Sequence, residues 1–297
     1  MRKASDVDVD ALLVGAVDLH VHPGPSPFPR RVSVVEAAVE ASEARFSAIA
    51  VKSHHHSTIT DVLAVEPQIS PLGVRVLGGV SLNQQVGGIN PYAVELALTL
   101  GARIVWFPTI AAEKHLASQA LLDRFPRDSA GMRRPEPVSV SGPEGGLSAN
   151  VLDVLDLIAH ADAVLACGHL DAGEISLLIP AARSAGVTRI LVNHPNFIVG
   201  ANPGLCATWA EQGVFIEHSL CHYIPDSTFH RFTLETLLEY VTAVGPDRTV
   251  LSSDLGQVGN PTPVEGFRSI VAALAAADVG ASTIRQLVGH SATALID

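Results

Sequence analysis

The sequence predicts an α/β fold, a (β/α)8 TIM barrel with a long insertion after strand 4, and three observations predict it. Eight short, β-branched apolar runs alternate with alanine-rich stretches of helical periodicity. The runs are apolar nearly throughout instead of alternating with polar residues, as strands of a parallel sheet covered on both faces must be. No GxGxxG follows the first run, so the dinucleotide signature of an open doubly wound sheet is missing.

The strand candidates are residues 12–22 (LLVGAVDLHVH), 46–54, 74–83, 102–109, 162–169, 188–195, 213–219 and 248–254. Between them lie helical patterns such as 33–45, 91–101, 149–160, 174–186 and 234–245, most ending in glycine or a charged residue just before the next strand. One connection is much longer than the others. About forty residues separate the fourth strand, ending near Thr109, from the helix starting near Ala149, and a loop of that length in a compact domain is a lid, a binding loop or an insertion. It carries His115, Arg124, Arg127, Arg133 and Arg134. The expectation is one barrel domain over residues 1–297, with 110–148 a lid or insertion loop.

Composition narrows the function classes. The 297 residues, 47% hydrophobic and 16% charged, suit a barrel of roughly 250 residues with a large core. No window supplies the roughly 18 unbroken apolar residues of a membrane span, so no membrane partner is expected. The first residues, MRKASDVDVDALL, place aspartates where a signal peptide needs an apolar run, which predicts a cytoplasmic location. A net charge of −11 without a basic stripe argues against nucleic acid. Cys167, Cys206 and Cys221 form neither a disulfide framework nor a CxxC pair. No GxSxG occurs, and Cys167 lies within a strand, which disfavours a nucleophilic serine or cysteine. The apolar composition is compatible with a homo-oligomer.

Barrel active sites lie at the C-terminal ends of the strands. Those ends hold Asp18, His20 and His22; Lys52, His54, His55 and His56; Asn83; Thr109; His169; Asn193 and His194; Glu217 and His218; Ser253 and Asp254. Residues two apart on a strand share a face. His20 and His22 therefore point the same way, and two imidazoles on one face suit a divalent transition metal. Read alone, such a pair is ordinarily solvated or packed; three further ligand-type residues at strand ends favour the metal. Lys52 and His54 share a face by the same alternation, although a lysine at a strand end is often a solvated rim charge. Glu217 and His218 face opposite ways, and His218 is favoured as the inward residue that contacts metal or substrate. Asp18 is placed to hydrogen-bond a ligand histidine. His222 and His230 are expected at the surface. Asn83 and Arg133 are the candidate substrate-binding residues, since arginines folding over the mouth would pair with a carboxylate.

The order of these residues resembles the amidohydrolase superfamily of metal-dependent hydrolases. DLHVH at the end of the first strand is similar to its opening motif, followed by His169 in GHL, His194 in NHP and Asp254 in SSD; VGHSATALI (288–296) is similar to its closing helix. The resemblance spans nearly the whole chain. It implies that His20, His22 and Asp254 hold one metal and that His169 and His194 hold a second where there are two. It also implies that Asp254 acts as the base toward water. The chain departs from the family pattern at strand four, ARIVWFPT, which offers neither the bridging lysine nor the glutamate of two-metal members. Lys52 is the nearest substitute, as a carbamylated bridge or as an ammonium that orients substrate.

These readings predict a divalent metal, zinc first with manganese, iron or nickel as alternatives, in one or two copies. The expected reaction is hydrolysis of an amide, cyclic amide or related C–N bond in a small molecule, with Asp254 and Lys52 as catalytic residues. A decarboxylase or phosphoesterase on the same barrel is one alternative, and a metal- or ligand-binding barrel without turnover is another.

Overall fold

The computed structural model describes residues 8–118, 132–142 and 145–297. Among the described residues there are nine short strands: β1 (Val17–Val21), β2 (Ala48–Val51), β3 (Arg75–Leu77), β4 (Gly79–Ser81), β5 (Ile104–Trp106), β6 (Val164–Ala166), β7 (Arg189–Asn193), β8 (Phe215–Ser219) and β9 (Thr249–Ser252). β3 and β4 are two halves of the third barrel strand. The break falls at Gly78, where a Cβ would lie 2.5 Å from Ile59 Cα. Pairing is parallel throughout, in the orders β1-β2-β3 and β4-β5-β6-β7-β8-β9. Beyond β9 the chain returns to the first strand. The Asp254 N–H donates to His20 O at 2.8 Å and the His22 N–H to Leu255 O at 2.8 Å, with a parallel bridge between Val21 and Leu255. Eight strand positions thus form the (β/α)8 arrangement.

The interior follows the two-residue period. Ala48 and Ala50, Ile104 and Trp106, and Val164 and Ala166 pack in one cluster with Phe215, large rings against alanines, as layered barrel interiors require. The helix Ser291–Ile296 adds Ala292, Leu295 and Ile296 to that cluster. Arg103 and Arg189, beside the starts of β5 and β7, donate to the Ile296 and Leu295 carbonyls, so this helix plugs the mouth opposite the strand C-terminal ends. The outer helices begin at residues suited to cap them: Ser33 with Glu36, Asp171 with Glu174 and Thr262 with Glu265 each form a capping box.

One expectation needs correction. Leu12 and Leu13 belong to the helix Val9–Leu13 and not to the first strand. Asp8 caps that helix through the Ala11 N–H, Gly15 reverses the chain at φ 81°, and β1 begins at Val17. In the insertion, the helix Glu113–Ser118, a bridge from Ala112 to Val138 and the buried Val140 pack on the barrel. Arg133 and Arg134 are exposed, and Arg124 and Arg127 lie outside the described residues. Among the described residues no helix is long and apolar enough to cross a membrane.

Candidate metal centre

At the C-terminal ends of the strands a cavity of about 300 Å³ is lined by His20, His22, Lys52, His54, His169, His194, His222 and Asp254, together with Arg30 and several apolar residues. A register shift between Asp18 and Val21 interrupts β1. That irregularity lets Val17 and Leu19 pack in the barrel interior while His20 and His22, of the opposite parity, still reach the mouth. His194, next after β7, and Asp254, two residues after β9, have φ of 45° and 53°, a left-handed conformation that costs energy in residues other than glycine and collects at functional sites. Here it turns both side chains over the mouth. The Asp254 turn also needs Gly256, whose φ is 124° and whose Cβ would lie 2.3 Å from His22 O.

Hydrogen bonds fix which ring nitrogens are free. His20 Nδ1 lies 2.7 Å from Glu217 Oε1 and His22 Nδ1 lies 3.1 Å from the Lys52 carbonyl oxygen. Both partners accept, so each Nδ1 carries the proton and each Nε2 carries a lone pair. Those lone pairs converge on one carboxylate: Asp254 Oδ1 is 3.3 Å from His20 Nε2 and 3.0 Å from His22 Nε2. Lone pairs and a carboxylate at these distances repel unless a cation or proton lies among them, and this donor set fits a divalent metal. His194 Nδ1 is 2.6 Å from Ser219 Oγ and 3.7 Å from Asp254 Oδ2. His222 gives Nδ1 to the Phe229 carbonyl at 3.2 Å, leaving its buried Nε2 without a hydrogen-bond partner. Ligand atoms of His20, His22 and Asp254 lie within 4.8 Å of one another, as do those of His194, His222 and Asp254, and of His20, His194 and Glu217. Asp254 thus belongs to two of the three groups.

Burial dominates the electrostatics. It pushes His22 down to about 3 and holds His54, His169 and His194 well below the usual imidazole range; all four are therefore neutral at pH 7. Burial would raise Asp254; a positive charge shared among His20, His22 and His194 holds its carboxyl well below the usual range, a place that a bound cation would take when the imidazoles are neutral. Lys52 is pushed down to about 8 by burial, and its Nζ lies 3.0 Å from His20 Nε2. Burial raises Cys167 to about 12 and Cys221 well above its ordinary value, so neither presents a thiolate.

The buried neutral histidines make stability depend on pH. Outside the cavity, His218 is also pushed down to about 3 by burial. A histidine whose folded pKa lies below its unfolded value binds protons more readily when unfolded, so stability rises with pH between about 3 and 6.5. For His218 this amounts to about 2 kcal/mol between pH 5 and 7. Urea midpoints of the metal-free protein are expected to be lower at pH 5 than at pH 7, and His218→Gln to flatten the difference. Equal wild-type midpoints at the two pH values would contradict this.

The structure brings most of the expected residues together. His20, His22, Lys52, His54, His169, His194 and Asp254 all line the cavity. His218 does not: its Nδ1 meets Tyr223 OH at 2.8 Å and its ring packs beside Tyr240. On β8 the inward positions are Phe215, Glu217 and Ser219, so the favoured member of the Glu217/His218 pair is reversed. Asn83 is not a substrate contact. Its Oδ1 accepts from Thr109 and Ala111 N–H, and its Nδ2 donates to His54 O and Thr109 Oγ1, which uses the amide fully. Arg133 is exposed and absent from the lining. Asp18 stays below the mouth, accepting from the His20 and Ser253 N–H groups, and burial raises it to about 6. His222 lies in the cavity wall instead of at the surface. Three supporting residues had no role assigned from the sequence, although Asn193 stands among the strand ends and His115 in the long loop. Asn193 Nδ2 donates to Glu217 Oε2, His115 Nδ1 lies 2.8 Å from His169 Nδ1, and Trp106 holds the inward position at the end of β5, 5.5 Å from Lys52 Nζ. Inward parity on β5 and β7 marks Trp106 and Asn193; nothing in the sequence marks His115.

The profile of a family described as "Family of unknown function (DUF6282)" matches residues 15–217. No curated protein matches the sequence. Among solved structures the chain is similar to a probable dipeptidase from Pseudomonas aeruginosa, with a TM-score of 0.64 at 12% identity over 98% of this chain and 96% of that one. It is similar to an amidohydrolase from the same organism, at 0.62 and 12% over 97% of each chain. An organophosphorus hydrolase from Deinococcus radiodurans gives 0.59 and 11% over 98% and 94%. The chain has the amidohydrolase-superfamily fold.

Proposed function

We propose, for a chain that belongs to the family of unknown function DUF6282, that the cavity is the site of a metal-dependent hydrolase acting on an amide, cyclic amide or related C–N bond of a small molecule. One observation carries the reading: the Nε2 lone pairs of His20 and His22 converge on Asp254 Oδ1 while Glu217 and the Lys52 carbonyl hold the opposite nitrogens. The similar structures, a probable dipeptidase, an amidohydrolase and an organophosphorus hydrolase, support hydrolysis as the class.

His20, His22 and Asp254 would hold the first ion, and Asp254 with His194 and His222 would hold a second, with His169 beside them. Neutral imidazoles and one carboxylate suit zinc first, then manganese, iron or nickel. A bound divalent ion supplies a Lewis acid for a carbonyl oxygen and lowers the pKa of a bound water from 15.7 toward about 7. Asp254, ionised and partly open to the cavity, takes a proton from the attacking water and returns it to the leaving amine. Lys52 uses the His20 Nε2 lone pair in this arrangement; were an ion to take that lone pair, the amine would be free to hydrogen-bond substrate or, after addition of carbon dioxide and loss of a proton, would offer a carbamate oxygen as a further ligand.

A panel of amides, cyclic amides, lactones, phosphotriesters and decarboxylation substrates tests the reading on zinc- and manganese-loaded protein. Turnover of a C–N member, lost on chelation and restored by metal, is the expected result. Turnover confined to phosphoesters or to decarboxylation would overturn the bond class. Metal binding without any turnover would favour a binding protein.

A further inference from the structure

We infer that Arg30 anchors a carboxylate of the ligand, so that the cavity takes a small carboxylic acid with an apolar or aromatic body. This rests on the reading of the cavity as the substrate site and adds the substrate's charge to it.

The loop after β1 carries Arg30 to the mouth and is fixed there by the loop after β9. Arg31 N–H donates to Gly256 O at 2.7 Å, Val258 N–H donates to Pro29 O at 3.3 Å, and Arg30 bridges to Gln257 through the backbone. The guanidinium lines the cavity that holds the candidate ligands. Among the described residues its enclosed Nε has no hydrogen-bond partner, and the charge that acts on it is the more distant Asp254 carboxylate. A buried guanidinium N–H without an acceptor is costly, and the cost falls when a ligand supplies the missing oxygen atom, while the rest of this half-buried fork stays open to the cavity. Burial lowers Arg30 to about 10, which leaves it charged at pH 7.

The surroundings select the class of anion. Among the described residues lining the cavity, the lysine and arginine side chains are Lys52 and Arg30, and Lys52 is engaged with His20. One planar fork matches a carboxylate in two parallel hydrogen bonds, whereas a dianionic phosphate calls for several donors. Phe28, Phe197, Phe229 and Val258 supply apolar wall for the rest of the ligand. Gln257, whose Nε2 donates to Asp254 O, leaves its buried Oε1 unpartnered in the same wall, an acceptor suited to an N–H on that ligand.

Phenylacetate, its neutral analogue phenylacetamide and phenylphosphonate serve as probes, titrated calorimetrically into zinc-loaded wild type, Arg30→Gln and Arg30→Lys. Phenylacetate is expected to bind wild type about tenfold or more tighter than phenylacetamide. Arg30→Gln removes that preference, and Arg30→Lys retains part of it, with metal content unchanged in both variants. A preference for phenylacetate that survives Arg30→Gln would place the carboxylate on the ion or elsewhere and overturn the inference. So would Arg30-dependent binding of phenylphosphonate without phenylacetate. Metal content and carboxylate preference are separate readouts. Wild type that binds no metal yet shows the Arg30-dependent preference rejects the hydrolase reading and keeps the anion site.

Discussion

Asp254→Ala is expected to lower the hydrolytic rate by about 10²–10⁴-fold and to weaken metal binding at the same time. The carboxylate occupies the point where three imidazoles meet, 3.3 Å from His20 Nε2, 3.0 Å from His22 Nε2 and 3.7 Å from His194 Nδ1. No other acidic residue among those lining the cavity can replace it. Asp254→Asn separates its two duties. The amide keeps the volume and one acceptor oxygen, so metal retention falls less than in the alanine variant, while the proton-accepting charge is lost altogether. Asparagine is also tolerated at the left-handed φ of 53°. Steady-state rates together with metal content of both variants check this; an Asp254→Asn protein with wild-type turnover would remove Asp254 from the chemistry.

Glu217→Gln is expected to weaken metal affinity by about 10–100-fold without touching the cavity wall. Glu217 is fully buried, takes the His20 Nδ1 proton at 2.7 Å and accepts from Asn193 Nδ2 at 3.1 Å. A glutamine can keep one of these bonds, but its own amide hydrogens then face a donor. One buried polar group is left unsatisfied, at a cost of about 1–3 kcal/mol in the metal-free protein. A chelator competition titration reads the first effect and urea unfolding of the metal-free variant reads the second. Wild-type values in both would mean that His20 is oriented by something other than Glu217.

The barrel was legible because its strands are short, apolar and regularly spaced, and because the helices between them carry their own caps. The cavity histidines were legible for the same reason: a histidine at the end of an apolar strand stands out from a loop histidine. Parity carried the reading only where strands are regular. It placed Lys52 and His54 together, and read from Phe215 and Ser219 it would have chosen Glu217 over His218. On β1 a register shift lies between Asp18 and Val21, and no residue pattern announces it. The long loop after β5 drew attention by its arginines, yet Arg133 is exposed while the cavity arginine, Arg30, comes from a proline-rich turn with no periodicity. Asn83 misled because a polar residue at a strand end resembles a substrate contact until its four hydrogen bonds to His54, Thr109 and Ala111 are seen. His115 and His222 join the site through tertiary packing of loops, which local sequence does not encode.

The most direct test is elemental analysis of the purified wild-type protein and Asp254→Ala, reported as metal equivalents per chain after loading with zinc or manganese. Convergent Nε2 lone pairs on a shared carboxylate predict about one or two equivalents in wild type and fewer in the variant. A wild-type chain that takes up neither ion would contradict the metal centre and leave the buried histidines of the barrel mouth to another purpose.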